Sequence, residues 1–443
     1  MTDSLLVENG TVLVPGGTPR ALPRHSVLIE GDRIARVAPA GAFRRFRGRR
    51  IDASRQVVMP GLINAHTHCY SALARALTKT KPAATFDEVL KNLWWRLDSA
   101  LTTEDCHASA QIALIDAIRH GATTIIDHHA SPRAVPGSLD AIARAVQETG
   151  VRACLCYEVS DRDGSAVSRA GMDENAAFIH RCRKADNSRL KALFGLHASF
   201  TLSDRTLEAA GGLGRELGTG FHIHVAEAES DQALTRSAHH RSVVERLQRF
   251  GILGDRTLAA HCVHVSRREM ELLAETHTAV IHNPQSNLNN AVGIADVVGM
   301  SARGVLVGLG TDAMTANLLE ELRVALWGQH GRARDASAGW AEITSALFTN
   351  NPRIASRIFE LPLGELRQGA MADIAIVDYD PPTPLEDANV HAHLLFGVSQ
   401  APVTATIVGG RVLMEARRLA LDLDEARVNA RARERAKALW QRL

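Results

Sequence analysis

The stretch Val57-Val58-Met59-Pro60-Gly61-Leu62-Ile63-Asn64-Ala65-His66-Thr67-His68 decides how this chain is read. A mostly apolar run of strand character leads to two histidines spaced i, i+2, and an extended backbone presents residues of that spacing on one face. Imidazole nitrogen is a favoured zinc donor at about 2.0–2.1 Å. A pair held on a rigid strand end has little freedom left to lose on binding an ion. Taken alone, the pair reads as well as two hydrogen-bonded histidines, so the rest of the chain has to decide.

Working outward from 57–66, apolar runs of strand length recur near residues 122–128, 152–158, 190–197, 220–226, 257–263, 278–283 and 304–311. Helical periodicity fills the intervals, as at 138–149, 203–217, 240–250 and 266–276. Strands alternating with helices predict an α/β fold, and eight such units predict a (β/α)8 TIM barrel over residues 57–360. Residues 1–56 instead alternate apolar and polar positions over short runs broken by Asn9-Gly10 and Gly31-Asp32, and residues 361–443 repeat the style, with a Gly409-Gly410 turn. The two ends therefore predict a small composite β-sandwich domain beside the barrel.

A barrel of this kind carries its chemistry at the C-terminal ends of its strands. The polar residues gather there. The first strand ends in His66 and His68, the second in Asp127-His128-His129, the fourth in His197, and the fifth in His222-Ile223-His224-Val225-Ala226-Glu227. His261-Cys262-Val263-His264 close the sixth, His282-Asn283-Pro284-Gln285-Ser286-Asn287 the seventh, and Gly310-Thr311-Asp312 the eighth. Alternation along the fifth strand turns both His222 and His224 inward, so either could be a ligand; the spacing to Glu227 favours His224.

Bulk properties narrow the partners. Lys and Arg number 51 against 49 Asp and Glu, a net charge of +2 with the signs interspersed. No basic stripe calls for nucleic acid, and a small molecule is the expected partner. No run of about 18 apolar residues occurs and Met1 to Val7 lacks a cationic start, so no membrane association and a cytoplasmic location are expected. Six cysteines without a CxxC pair read as reduced thiols. Twenty histidines against three tyrosines suit a metal enzyme.

The order Pro60-Gly61, His66-Thr67-His68, His224-Val225-Ala226-Glu227, His261 and Gly310-Thr311-Asp312 resembles the amidohydrolase superfamily, specifically its cytosine/guanine/chlorotriazine-type metal-dependent deaminase branch, over nearly the whole chain. Lys91-Asn92-Leu93-Trp94-Trp95-Arg96-Leu97-Asp98 and Ile126-Asp127-His128-His129-Ala130-Ser131-Pro132 are similar to the SsnA-type aminohydrolases, a subgroup that implies no particular substrate. The resemblance implies one divalent metal ion, Zn²⁺ before Fe²⁺ or Mn²⁺, held by His66, His68, His224 and Asp312. It gives catalytic roles to Asp312 as proton acceptor from water, to His261 beside that water, and to Glu227 as the acid that protonates a ring nitrogen. Binuclear relatives hold a second ion with a carboxylated lysine at the end of the fourth strand; His197 stands there, so a single ion is expected and His197 is left to meet substrate.

Further substrate contacts are expected from Trp94 and Trp95 on a lid after the first strand, from Arg75, and from Asn283, Ser286 and Asn287; Asp127 is expected to hold the tautomer of a ligand histidine. Core packing is the competing role for each tryptophan, and loop capping for the three residues after the seventh strand. The function implied is hydrolytic deamination of an aminated nitrogen heterocycle of purine, pteridine or triazine type, in purine metabolism or its neighbours. Ring-opening of a cyclic amide in an oxidised purine-like ring is the alternative. A non-catalytic metal-binding scaffold is the reading from another class, and the two carboxylates Glu227 and Asp312 speak against it, because a closed structural site needs no spare acid and base. A homodimer is expected, as the commonest symmetric assembly.

Overall fold

Gly61 cuts the decisive apolar run in two. In the computed structural model, which describes residues 4–78, 80–185 and 187–443, the strand Val57–Pro60 belongs to an outer sheet and Leu62–Thr67 begins an inner, parallel one. A Cβ at Gly61 would stand 2.2 Å from Thr123 Cγ2, so only glycine lets the chain pass from one sheet to the other here. The first inner strand therefore starts five residues later than the apolar run suggests, and its hydrophobicity hid the boundary.

The inner strands form two parallel sheets. Leu62–Thr67, Ala122–Asp127, Arg152–Leu155 and Leu190–Ala192 make one; Phe194–Ala198, Phe221–Val225, Leu258–His261, Ala279–His282 and Val307–Leu309 make the other. The run expected as a single fourth strand breaks at Leu193, whose N–H still donates to Leu155 O at 3.2 Å while the two halves pair with opposite sheets. Parallel bridges Val159↔Leu196 and Thr67↔Asp312 join the sheets, and Thr311 N–H donates to His66 O at 2.9 Å. Most of these strand residues are buried, as expected when helices cover the outer face and side chains fill the inner one.

The helices between them have conventional ends. Ser138–Thr149 stops on Gly150 with φ of 80°, the left-handed conformation that glycine adopts without penalty, and Arg267–Glu275 opens with a Ser266/Glu269 capping box. No helix among the described residues is long and apolar enough to cross a membrane.

Both ends of the chain contribute to one nine-stranded outer sheet. Its core is Ser4–Val14, which pairs antiparallel with Arg20–Glu30 and parallel with Arg49–Asp52 and Val57–Pro60. Val57–Pro60 in turn pairs with Ile374–Val377, the strand that brings in the C-terminal segment. The last helix, Glu425–Arg442, leaves this sheet and packs on Thr103–Arg119. Its Trp440 Nε1 donates to Leu73 O at 2.8 Å and its Arg435 to the buried Asp105 at 2.7 Å, bracing the segment just beyond His68.

Candidate active site

Three imidazoles and a carboxylate converge where the inner strands end. The His66, His68 and His224 ligand atoms lie within 4.8 Å of one another, as do those of His66, His261 and Asp312. Asp312 Oδ1 is 2.9 Å from His68 Nε2 and 3.6 Å from His66 Nε2, and His224 Nε2 is 3.3 Å from His68 Nε2. Their other nitrogens are committed: His68 Nδ1–H donates to His128 O and His224 Nδ1–H to His197 O at 2.9 Å, while His66 Nδ1 lies 2.8 Å from His222 Nε2. Each ligand nitrogen thus points inward, and His66 Nε2 is buried with no partner among the described residues. Burial lowers His66 to about 4 and His224 well below the ordinary imidazole range, while for His68 burial is outweighed by the Asp312 carboxylate, which raises it to about 9. Imidazoles fixed from behind around one carboxylate fit a divalent cation. The choice between His222 and His224 falls to His224; His222 stands behind His66.

Backbone strain shapes the rim. His261, Cys262 and Asp312 have φ of 74°, 50° and 51°, and Ala226, just before Glu227, has 45°. Such left-handed non-glycine residues cost about 1–3 kcal/mol each. Hydrogen bonds hold them: Asp312 N–H donates to His66 O at 3.0 Å, Cys262 N–H to Val225 O at 2.9 Å, and Ala226 N–H to the buried Asp231 carboxylate at 2.8 Å.

Two carboxyl groups sit over this cluster with opposed proton affinities. Burial pushes Glu227 well above the usual range, reinforced by the nearby charge of Asp312. Burial would raise Asp312 too, but the His66 and His68 rings, at 3.6 and 2.9 Å, outweigh that and hold it well below. His261 Nε2 lies 3.5 Å from Glu227 Oε2 and 4.0 Å from Asp312 Oδ2, and burial lowers this imidazole to about 3, so it is neutral. A neutral acid and an ionised base on one chamber wall is the arrangement that runs acid and base chemistry at one pH.

The chamber encloses about 670 Å³, its open mouth included. Trp94, Trp95, Phe86 and Phe200 give it flat apolar walls, and His197 lines it. The lid is tied across the mouth by Ser230 Oγ donating to Asp87 Oδ1 at 2.8 Å, three residues beyond Glu227. Arg162 donates to Asp98 at 2.8 Å, lies 3.7 Å from Glu158, and covers the Trp95 ring at 5.1 Å, and Glu158 in turn groups with His128 and His224 within 4.8 Å.

Of the expected substrate contacts, His197, Trp94 and Trp95 line this chamber. Arg75 does not: its side chain is exposed, bonds Asp116, and lines a separate depression behind Trp94. Asn283, Ser286 and Asn287 are buried and do not line the chamber: Ser286 bonds Asp312 and Asn287 bonds His261, while Asn283 Nδ2 donates to Ile281 O at 3.1 Å. Asp127 holds the Cys69 N–H at 2.6 Å rather than a ligand histidine, whose tautomer the His128 carbonyl fixes. Sequence reasoning missed Asp98, Glu158, Arg162 and Asn290. Asp98 comes from the segment after the first inner strand, and Glu158 and Arg162 come from the connection after the third. Asn290 follows Ser286 by one helical turn, and the helix-starting Pro284 was the available signal.

Residues 57–413 match the model of the Amidohydrolase family. The 5-methylthioadenosine/S-adenosylhomocysteine deaminase of Pelotomaculum thermopropionicum is 31% identical over 445 residues, covering 99% of each chain. The 5'-deoxyadenosine deaminase of Methanothermobacter thermautotrophicus is 31% identical over 420 residues, covering 93% of each. A zinc-bound adenosine deaminase structure from Xanthomonas campestris superposes with a TM-score of 0.87 at 25% identity, covering 99% of this chain and 98% of that one.

Proposed function

The chain belongs to the amidohydrolase family, and from that premise we propose that it is a metal-dependent hydrolytic deaminase acting on an aminated purine-type heterocycle, with pteridines and triazines as the neighbouring classes. The observation that carries this reading is the pair Glu227 and Asp312, one held neutral and the other ionised beside a convergent His66, His68 and His224. The adenosine-type deaminases among its relatives support the purine ring.

His66, His68, His224 and Asp312 would hold one divalent ion, Zn²⁺ first. When bound, the ion lowers the pKa of water from 15.7 to about 7, supplying a nucleophile at neutral pH. Asp312 takes the proton that this water gives up. Glu227 passes its proton to the ring nitrogen next to the carbon under attack, so that electrons from the ring double bond have a place to go. His261 hydrogen-bonds the entering oxygen. Collapse of the tetrahedral adduct breaks the exocyclic C–N bond: the proton held by Asp312 goes to the leaving nitrogen, and the hydroxyl proton of the adduct returns to Glu227 as the carbonyl forms, so that water enters, ammonia leaves and both carboxyl groups regain their starting states. Trp94 and Trp95 stack against the flat ring, and His197 meets its edge.

The same reading makes the two parallel sheets one (β/α)8 barrel over residues 57–360, with 1–56 and 361–443 as the composite β-sandwich domain, in a cytoplasmic homodimer. The bridges Val159↔Leu196 and Thr67↔Asp312 support closure of the barrel. The test is ammonia release from a panel of purines, purine nucleosides, pteridines and triazines by zinc-loaded protein. Ammonia from one ring class upholds the proposal. Loss of ring absorbance without ammonia replaces it with ring-opening, and metal binding without turnover replaces it with a scaffold.

A further inference from the structure

One short helix touches all three reacting groups. Pro284–Asn289 follows the seventh inner strand, and Asn290 closes it. Ser286 Oγ donates to Asp312 Oδ2, Asn287 Nδ2 to His261 Nδ1 at 2.8 Å, and Asn290 Nδ2 to Glu227 Oε1 at 3.3 Å. Asn290 also reaches Ser286 Oγ at 3.3 Å, so the three contacts are coupled. The helix is itself anchored: Gln285 N–H donates to the buried Glu321 at 3.0 Å, from the helix that follows the eighth strand.

We propose that this helix is the positioning element of the reaction, and that Asn287 holds His261 in the tautomer with its hydrogen on Nε2. The inference rests on the deaminase reading of the site. A neutral imidazole has one donor and one acceptor nitrogen. An amide N–H aimed at Nδ1 puts the lone pair there and the hydrogen on Nε2. The surroundings of Nε2 agree independently: it is buried, has no hydrogen-bond partner among the described residues, and its nearest acidic neighbours are oxygens of the Glu227 carboxyl and the Asp312 carboxylate at 3.5 and 4.0 Å. His261 is therefore a donor towards the entering oxygen. It is neither a fourth imidazole ligand nor a base, although it sits within ligand distance of His66 and Asp312. Asn287 acts through His261 and is a positioning residue; its buried carbonyl oxygen is without a partner among the described residues, so what it contributes is the N–H.

The tautomer is read directly from ring ¹⁵N shifts of histidine-labelled, zinc-loaded protein, where pyridine-like and pyrrole-like nitrogens separate, with His261→Gln assigning the resonance. In the wild type His261 is expected to be pyridine-like at Nδ1. Asn287→Asp, which can only accept, is expected to move the hydrogen to Nδ1 and lower kcat by about 10–100-fold, with KM and metal content held. A wild-type His261 with its hydrogen on Nδ1 overturns the proposal, as does an Asn287→Asp protein that keeps both tautomer and kcat. The wild-type spectrum suffices if the variant fails to fold. It also separates the two readings: a zinc-loaded protein that deaminates nothing refutes the function and leaves the tautomer result standing.

Discussion

Two buried ionic clusters adjoin in the chamber, a carboxylate oxygen of Glu158 in the second lying within 4.8 Å of a His224 ring nitrogen in the first, and they are built on different rules. In one, Glu227 and Asp312 stand with raised and lowered proton affinities beside His66 and His261, whose Nε2 atoms are buried with no hydrogen-bond partner among the described residues. In the other, Arg162 bonds Asp98 and approaches Glu158, and His128 Nδ1 lies 3.3 Å from Glu158. Burial raises Glu158, but His197, His128 and Arg162 more than offset it and hold the carboxyl below its ordinary range. The first cluster is left short of partners, and a substrate or ion completes it. The second pairs its carboxyl groups with the Arg162 guanidinium, the partner that buried carboxylates need, although burial still raises Asp98 to about 7 and its Oδ1 has no hydrogen-bond partner among the described residues.

The difference is sharpened most by substitutions that keep shape and remove charge. Glu227→Gln is expected to lower kcat by about 10²–10⁴-fold with unfolding stability held or raised, because it replaces a buried carboxyl by an amide of the same size. Ammonia release and a urea titration read the two effects. Arg162→Met is expected to do the reverse: stability falls by about 3–5 kcal/mol, since removing one partner leaves buried carboxylates uncompensated, while kcat per folded molecule falls far less than in Glu227→Gln. If Arg162→Met unfolds readily, adding Asp98→Asn should restore part of the loss. Equal damage to kcat from both single variants would erase the distinction between the clusters.

A smaller effect concerns Asp231, which supports the strained Ala226 beside Glu227. Burial raises this carboxyl from 3.8 to about 7. The folded state thus holds its proton more tightly than the unfolded one, so the stability it contributes is present below about pH 4 and is lost as pH rises through about 7. Asp231→Asn keeps an acceptor for the Ala226 N–H without the titration. Melting curves of both proteins from about pH 5 to pH 8 should show the variant gaining on the wild type as pH rises; parallel curves would mean that Asp231 is already ionised at the acid end.

The contrast also explains what the sequence disclosed. His66, His68, His224, His261 and Asp312 were legible because strand ends impose order and i, i+2 spacing, and those constraints survive in one dimension. The register of the fifth strand left His222 and His224 equivalent, and what separated them was what stands behind each ring, a property of neighbouring strands. Val57–Pro60 and Leu62–Thr67 read as one strand because hydrophobicity carries no mark of a change of sheet; Gly61 against Thr123 was the mark. The Asp98, Arg162 and Glu158 cluster was invisible, being assembled from a lid and the connection after the third strand. Asn283, Ser286 and Asn287 were found as residues, but none lines the chamber: Ser286 and Asn287, on the helix that begins at Pro284, bond Asp312 and His261, and Asn283 bonds the backbone of Ile281.

The account's central claim is that the strand-end cluster exchanges an amine for an oxygen taken from water. It is tested most directly by turnover of the best purine substrate in ¹⁸O-labelled water, with ammonia counted alongside product mass. The account predicts one ¹⁸O and one ammonia per product molecule, with the ring intact and both lost on metal removal. A product carrying the full mass of an added water, with no ammonia released, would contradict it.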